Sequence, residues 1–145
     1  MSVTTILNRK GTDVLTVRPE ATVREAVTSL AHKRVGALVV NSDGLGVEGI
    51  VSERDVVWGL AAHGQRLLDR PVTEIMSTDV TTCRANAAID DVMAEMTNRR
   101  IRHIPVVEDG HLAGIVSIGD VVKHRIDELE LQAASLQEYV LGRAD

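Results

Sequence analysis

Apolar residues along the first half of the chain follow first a helical period and then a strand period. Thr22 and Glu25 form the start of a capping box, and the apolar side chains after them predict a helix of about three turns. Its apolar positions are Val23, Ala26, Val27, Leu30 and Ala31. Apolar runs at residues 37–40 and 47–51, separated by an Asp-Gly turn, predict an antiparallel strand pair. Ser52 then begins a second helix.

The same order of elements returns in the second half. A helical apolar face at residues 89–96 precedes apolar runs at 104–107 and 112–116. Between Gly49-Ile-Val-Ser-Glu-Arg-Asp-Val-Val57 and Gly114-Ile-Val-Ser-Ile-Gly-Asp-Val-Val122, seven of nine positions are identical. The Asp-Val-x-Thr sequence that ends at residue 16 also recurs, ending at residue 82. Each copy therefore predicts the order strand, helix, strand, strand, helix.

These patterns predict an α/β (α+β) fold of two pseudo-symmetric β-α-β-β-α units packed sheet to sheet, plus a C-terminal helix. One unit alone would leave about half of its apolar surface exposed, so the two should share one module. We place the first copy with the N-terminal segment at residues 1–62 and a connector at 63–78. The second copy follows at 79–126, and a C-terminal helix extension at 127–145.

The C-terminal helix carries a heptad pattern. Beyond Asp120, apolar residues are spaced alternately by 4 and 3 positions, without Gly or Pro until Gly142. They are Val122, Ile126, Leu129, Ala133, Leu136 and Val140. The pattern covers fewer than three heptads, so two alternatives stay open: the helix packs on its own module, or on a partner chain.

Composition narrows the class of protein. The chain has no Phe, one Trp and one Tyr, so the core must be aliphatic and stacking platforms for single-stranded nucleic acid are absent. A net charge of −5 disfavours nucleic-acid binding, which relies on clustered Lys and Arg. The single cysteine, Cys83, predicts a reducing compartment and is interpreted as an apolar strand residue. Without a membrane-spanning run or signal peptide, we expect a soluble, cytoplasmic protein.

The duplicated Gly-x-x-Ser-x-x-Asp motif places Ser52 and Asp55, and likewise Ser117 and Asp120, on the first turn of a helix after a strand. One interpretation is helix capping, which stabilises by about 1 kcal/mol without any ligand. In the other, the helix start binds a phosphate while the carboxylate accepts hydrogen bonds from a ribose. Repetition of the motif favours nucleotide binding.

With these motifs the chain resembles a tandem pair of cystathionine β-synthase (CBS) domains, the Bateman module. The resemblance covers nearly the whole chain. It is carried by the blocks at residues 49–55 and 114–120, the segment Arg99-Arg-Ile-Arg-His-Ile-Pro-Val-Val107, and the strands ending at Thr16 and Thr82. It implies a stand-alone, bacterial-type regulatory homodimer that binds AMP, ATP or NAD and signals occupancy by a conformational change.

The resemblance also implies residue roles. The motif aspartates Asp55 and Asp120 would hold ribose hydroxyls, and Ser52 and Ser117 would support ribose or phosphate. The strand after the first helix of each copy would contact adenine, and the basic pair before the proline would contact phosphate. In sequence order these strand positions are Ala37, Leu38, Arg102, His103, Ile104 and Pro105. Thr16, Arg54 and Thr82 complete the set of candidate binding residues.

The two copies differ where the resemblance predicts binding. The sequence Gly36-Ala-Leu-Val39 stands where the second copy has Arg102-His-Ile-Pro105, and Arg54 lies in the first motif where the second has Gly119. We therefore expect two non-equivalent sites. For Arg102 the alternatives are a solvated cationic edge and a phosphate-binding rim. For Lys10 they are surface solvation and a phosphate contact.

The sequence also bears on other classes of function. It contains no nucleophile elbow, no Walker-type phosphate loop and no metal-ligand spacing, so neither an enzyme nor a metal site is predicted. The alternative to a nucleotide sensor is a structural dimerisation scaffold in which the motif residues only cap helices. We expect an effector protein as partner, but no attached domain identifies it, and no membrane partner is expected.

Overall fold

A computed structural model describes residues 1–142; residues 143–145, the end of the predicted extension 127–145, lie outside it. The first half contains α1 (Val3–Lys10), β1 (Thr16–Val17), α2 (Val23–Lys33), β2 (Ala37–Val40), β3 (Gly49–Ser52) and α3 (Glu53–His63). Two 3₁₀ turns follow, at Gly64–Asp69 and Val72–Glu74. The second half contains α4 (Ile89–Arg99), β4 (His103–Glu108), β5 (His111–Ser117) and α5 (Ile118–Gly142).

The predicted mixed α/β class with two small sheets is confirmed. The first sheet has the order β1-β2-β3, with β1 parallel and β3 antiparallel to β2. The second sheet is the antiparallel pair β4-β5. Its predicted first strand is reduced to one parallel bridge between Cys83 and Val106. Pairing ends there because the Glu108 carboxylate accepts the Ala85 N–H at 2.7 Å, in place of a ladder carbonyl.

Helix α2 begins with the predicted capping box. The Thr22 hydroxyl accepts the Glu25 N–H at 3.1 Å, and the Glu25 carboxylate accepts the Thr22 N–H at 3.0 Å. Helices α2 and α4 both end on an arginine in the left-handed conformation, Arg34 and Arg100, each with φ 54°. This conformation turns the chain from helix into strand at equivalent points of the two copies.

The sequence pattern did not predict α1. Its apolar face, formed by Val3, Ile6 and Leu7, is buried in the core of the second copy. The Val3 N–H donates to the Ala87 carbonyl at 2.9 Å. A Cβ on Gly114 of β5 would lie 2.8 Å from a Leu7 methyl group, so this glycine allows α1 to approach the sheet. This segment precedes the first copy in the sequence, but its buried face packs on the second copy.

The connector shows the reverse arrangement. It leads into the second copy but packs on the first, where Val72 is fully buried in the core. The Val72 N–H donates to the Ala21 carbonyl at 2.8 Å, and the Val23 N–H donates to the Arg70 carbonyl at 2.8 Å. Each copy therefore has its core completed by the segment that precedes the other copy.

Helix α5 packs on the second copy only at its base. Val121 and His124 are buried, whereas residues 129–142 are all exposed. The first turns of α5 thus pack on their own module, which is one of the two predicted alternatives. No helix within residues 1–142 is long and apolar enough to cross a membrane.

Candidate functional site

Each sheet places the motif serine opposite the first residue of the neighbouring strand. Ser52 at the end of β3 pairs with Ala37 of β2, and Ser117 at the end of β5 pairs with His103 of β4. The strand candidates and the helix candidates therefore lie side by side in each copy. Because the equivalent strand positions hold alanine and histidine, the two sites differ where strand meets helix.

In the first copy, Asp55 caps its own helix. Its Oδ2 accepts hydrogen bonds from the Ser52 N–H at 2.8 Å and from the Ser52 hydroxyl at 3.0 Å. The Asp55 N–H donates to Ser52 Oγ at 3.4 Å, which completes the capping box. Within residues 1–142, Asp55 Oδ1 accepts no hydrogen bond. The carboxylate can therefore cap the helix and still accept a hydroxyl from a ligand.

In the second copy, a cation from α1 holds the motif carboxylate. Lys10 Nζ donates to Asp120 Oδ2 at 2.7 Å and to the Ile115 carbonyl at 2.9 Å. The Ser117 N–H donates to the same carboxylate oxygen at 2.9 Å. The side chains of Lys10 and Asp120 are only 32% and 22% exposed, so solvent screens this ion pair weakly.

The ion pair makes the two motif aspartates electrostatically different. Burial alone would raise the pKa of Asp120, but the hydrogen bonds from Lys10 and Ser117 outweigh it and lower the pKa. In the described part of the chain, no lysine or arginine forms a salt bridge with Asp55. A ligand hydroxyl would therefore meet an unpaired carboxylate in the first copy and a neutralised one in the second.

Each motif helix retains one backbone donor for an anion. In α3 the Glu53 N–H donates to the Gly36 carbonyl at 3.0 Å, and the capping box uses two more amides. This leaves the N–H of Arg54 in the first turn. Helix α5 has the same pattern, with the N–H of Gly119 remaining. A phosphate would gain little from the backbone alone, so basic side chains must supply most of its binding.

His103 lies half-buried between the two copies. Burial has the largest effect on its charge and lowers the pKa of His103, although Glu53 and Asp120 act in the opposite direction. A neutral imidazole offers one hydrogen-bond donor and one acceptor to a ligand. Positive charge near this position comes instead from Lys10 and from Arg102, which is exposed just before β4.

Arg54 connects the two copies. Its Nη1 donates to the Arg100 carbonyl at 3.1 Å, and its guanidinium lies 5.7 Å from the ring centroid of Trp58. The first contact joins α3 to the end of α4, and the second is within cation–π distance. A ligand contact by Arg54, as the sequence predicted, would compete with both.

Among the described residues, the other candidates are either buried or make no hydrogen bond with a motif residue. Thr16 and Thr82 are exposed, and within residues 1–142 no hydrogen bond joins either to a motif residue. Leu38 and Ile104 are 0% and 1% exposed, as members of the two hydrophobic cores, and Pro105 is also buried. Their predicted adenine contacts would require the sheets to open at these positions. These roles stay predictions.

Two residues near the site were not singled out from the sequence. Gly36 lies against the ring of His103, and the charge of Glu53 acts on that ring. The small residue at position 36 was the available signal. The pairing of Lys10 with Asp120 has no local signal in the sequence, because 110 residues separate the two. In the part of the chain that the structure describes, no three His, Cys, Asp or Glu side chains are grouped for metal binding.

Comparison with known proteins gives close matches over most of the chain. The CBS domain-containing protein YhcV of Bacillus subtilis is 33% identical over 79% of this chain and 81% of its own length. The crystal structure of the CBS-domain protein ATU1752 from Agrobacterium tumefaciens superposes with a TM-score of 0.84 at 44% identity, covering 86% of this chain and 99% of that one.

A third comparison extends the fold to a more distant protein. The CBS domain pair of protein MJ0100, solved in complex with 5′-methylthioadenosine and S-adenosyl-L-methionine, has a TM-score of 0.79 at 23% identity. It covers 88% of this chain and 98% of that one, a likeness in fold. The family model for the CBS domain matches twice, at residues 5–62 and 72–127. The chain therefore belongs to the CBS-domain family, as a tandem pair.

Proposed function

We propose that this chain is a regulatory module that binds an adenine nucleotide beside Ser52 and Asp55 and signals occupancy by a conformational change. AMP, ATP and NAD are the expected ligands. One observation carries the proposal: the capping bonds of Asp55 use Oδ2 alone, so the second oxygen of an unpaired carboxylate faces no competing donor. This is the chemistry that recognises a ribose hydroxyl.

The remaining parts of a nucleotide have candidate partners around this carboxylate. Ala37 of β2 would contact the adenine, because it pairs directly with Ser52. Leu38, which is fully buried, would do so only if the sheet opened at this position. Arg102 and His103, from the other copy, would contact phosphate. A ligand bound in this way would touch both copies at once, which gives its binding a means to change their relative position.

The adenosine part of the proposal has support from a relative. The CBS pair of MJ0100 holds 5′-methylthioadenosine and S-adenosyl-L-methionine, which share adenosine with AMP, ATP and NAD. Neither ligand carries a phosphate. The preference for a phosphate-bearing ligand in this chain therefore depends on Arg102 and on the single free amide of each motif helix.

We place the main site in the first copy. In the second copy, Lys10 Nζ donates a hydrogen bond to Asp120 Oδ2 at 2.7 Å. A ribose hydroxyl must therefore compete with a charge-assisted hydrogen bond, which is roughly twice as strong as a neutral one. Replacing Lys10 by methionine should free Asp120. Calorimetry should then give two ligands per chain in Lys10→Met and one in the unmodified protein.

Contacts between the copies provide a route for the signal. The Leu112 N–H of the second copy donates to the Leu45 carbonyl of the first at 2.6 Å, and Arg54 reaches the Arg100 carbonyl. A nucleotide that moves His103 or Arg54 would disturb these links. We propose that the change is passed to an effector protein by a homodimer in the cytoplasm, without catalysis.

Ligand titration with matched variants tests this proposal. AMP, ADP, ATP, NAD, NADH and S-adenosylmethionine are screened by thermal shift, and a ligand at 100 times its Kd adds about 2.7 kcal/mol of stability. Asp55→Asn should abolish the shift. The control is Asp91→Asn, because Asp91 is an exposed acid in the first turn of α4, away from either motif. Equal shifts in both variants would reject the site.

The structure also favours a second candidate function, a dimerisation scaffold. Its supporting observation is that Ser52 and Asp55 bond to each other in a complete capping box of α3. In that case none of the six compounds would bind at millimolar concentration. Asp55→Ala, which removes the acceptor of the Ser52 N–H, would still lower stability by about 1 kcal/mol in that case.

A further inference from the structure

The outer part of α5 is exposed. Leu129, Leu136 and Val140 are 49%, 66% and 62% exposed, and every residue from 129 to 142 is exposed. A helical segment of this length is marginally stable in water on its own. An apolar partner would therefore stabilise this part of α5.

The exposed apolar residues form one stripe. Successive helical residues turn by about 100°, which places the heptad positions on a face away from Val121 and His124, the buried anchors of the helix base. We call this stripe the α5 seam. It consists of Val122, Ile126, Leu129, Ala133, Leu136 and Val140.

We propose that the α5 seam pairs with the same seam of a second copy, in parallel and in register, as a short two-stranded coiled coil. This rests on the proposed homodimer and specifies how it forms. Taking Ile126 as position a, the a positions hold Ile126, Ala133 and Val140, and the d positions Val122, Leu129 and Leu136. Within a parallel coiled coil, Ile126 and Val140 at a with Leu129 and Leu136 at d favour two strands, whereas Ala133 and Val122 depart from this pattern.

Charges beside the seam favour the same direction. In a parallel pair, the g residue of one helix meets the e residue five positions later in the other. Arg125 at g, whose Nη1 lies 3.4 Å from Glu128 Oε1 of its own helix, would meet Glu130 of the second copy at e, twice by symmetry. An antiparallel pair that matches all six seam layers would instead place Glu130 opposite Glu130, which is repulsive. The charge pattern thus selects the parallel arrangement.

The seam is short, but its base is fixed. Six heptad positions would hold two free peptides together weakly, because each helix would first have to nucleate. Here Val121 and His124 anchor the first turns of α5 in the second copy's core. The folded module therefore supplies the helix nucleus, and pairing only has to extend it.

Cysteine cross-linking tests direction and register. In a Cys83→Ser background, single cysteines are introduced as Ile126→Cys, Ala133→Cys or Val140→Cys, and disulfide dimers are scored on non-reducing gels. Only a parallel, in-register pair brings each position against itself at all three levels. Ala134→Cys is the control, because it is exposed on the same helix but lies off the seam. We expect cross-links at the three seam positions and none at 134.

Two results would overturn the inference, and they differ in scope. A dimer by light scattering that lacks cross-links at positions 126 and 140 would reject the parallel seam and keep the homodimer. A monomer at tens of micromolar would reject both. Nucleotide titration of the same samples reports separately on the ligand site.

A charge exchange gives an independent readout. Arg125→Glu should weaken dimerisation, with a rise in the dimer Kd of about tenfold, because it places two like-charge pairs across the interface. Arg125→Glu combined with Glu130→Arg should restore the Kd. Glu138→Arg, off the seam, is the control. Failure of the double variant to recover would contradict the proposed pairing.

Discussion

The imidazole ring of His103 packs directly on the backbone of Gly36. A Cβ placed on Gly36 would lie 2.9 Å from His103 Nε2 and 3.0 Å from Cε1. Glu53 Oε1 would lie 3.7 Å from the same point. Because His103 belongs to the second copy and Gly36 to the first, any side chain at position 36 changes how the copies meet.

Gly36→Ala should force the His103 ring out of its position. We expect the free energy of unfolding to fall by about 1 kcal/mol, the low end for overpacking, since the contacted atoms are at the end of a side chain that can rotate. Urea unfolding measures the loss. Gly36→Ala with His103→Ala should cost no more than His103→Ala alone. Gly46→Ala, where the added Cβ meets open space, is the control.

Lys10→Met should change the pH dependence of stability. A carboxyl whose pKa is lowered on folding, as in Asp120, adds stability above its unfolded pKa of about 3.9 and loses it as the pH falls through the folded value. The variant should therefore lose about 1–2 kcal/mol at pH 7, and the difference from the unmodified protein should narrow below about pH 4. A loss that is equal at pH 3 and pH 7 would exclude the ion pair as its cause.

Cys83 should react slowly with thiol reagents. Burial, followed by the nearby charge of Glu108, raises the pKa of the thiol to about 11. At pH 8 its thiolate population would then be roughly a hundredfold or more below that of an ordinary cysteine with a pKa of about 8.5. Reaction with Ellman's reagent should be correspondingly slow and should keep rising up to about pH 11. A rate that levels off near pH 9 would contradict the raised pKa.

Arg34→Gly and Arg100→Gly should each stabilise the protein. Both arginines adopt φ 54° at a helix end, a conformation that costs a residue with a side chain roughly 1 kcal/mol and glycine almost nothing. We expect gains of about 0.5–1 kcal/mol in urea unfolding. Arg99→Gly, one residue earlier and inside α4, should lose about 1 kcal/mol instead. A destabilised Arg100→Gly would indicate that its side chain has contacts of its own.

Much of the fold could be predicted because each copy encodes its structure locally. The Thr22–Glu25 capping box, the apolar runs of β2 and β4, and the serine at the start of α3 are all readable within a few residues. Helix α1 was missed although Val3, Ile6 and Leu7 have helical spacing. It is only 8 residues long, and its packing partner lies in the other half of the chain.

The same limit applies to the candidate site. The pairs Ser52–Asp55 and Ser117–Asp120 could be assigned from the sequence because three positions separate their members on one helix turn. The pairing of Lys10 with Asp120 and the contact of Gly36 with His103 could not. They depend on how two repeats and a preceding helix come together in space, and nothing in the repeat itself specifies that geometry.

The crossed packing of α1 and the connector has a consequence for how the molecule comes apart. Cleavage within residues 64–71 would not release two self-sufficient halves. The N-terminal fragment would lack Val72, which belongs to the core of the first copy, and the C-terminal fragment would lack Leu7, which belongs to the core of the second. A single repeat expressed alone would expose the apolar surface that the missing segment covers. It could cover that surface only with the same segment of a second molecule. The two repeats are therefore linked by the peptide chain and also by the packing of α1 and the connector on opposite repeats. They should unfold in one thermal transition.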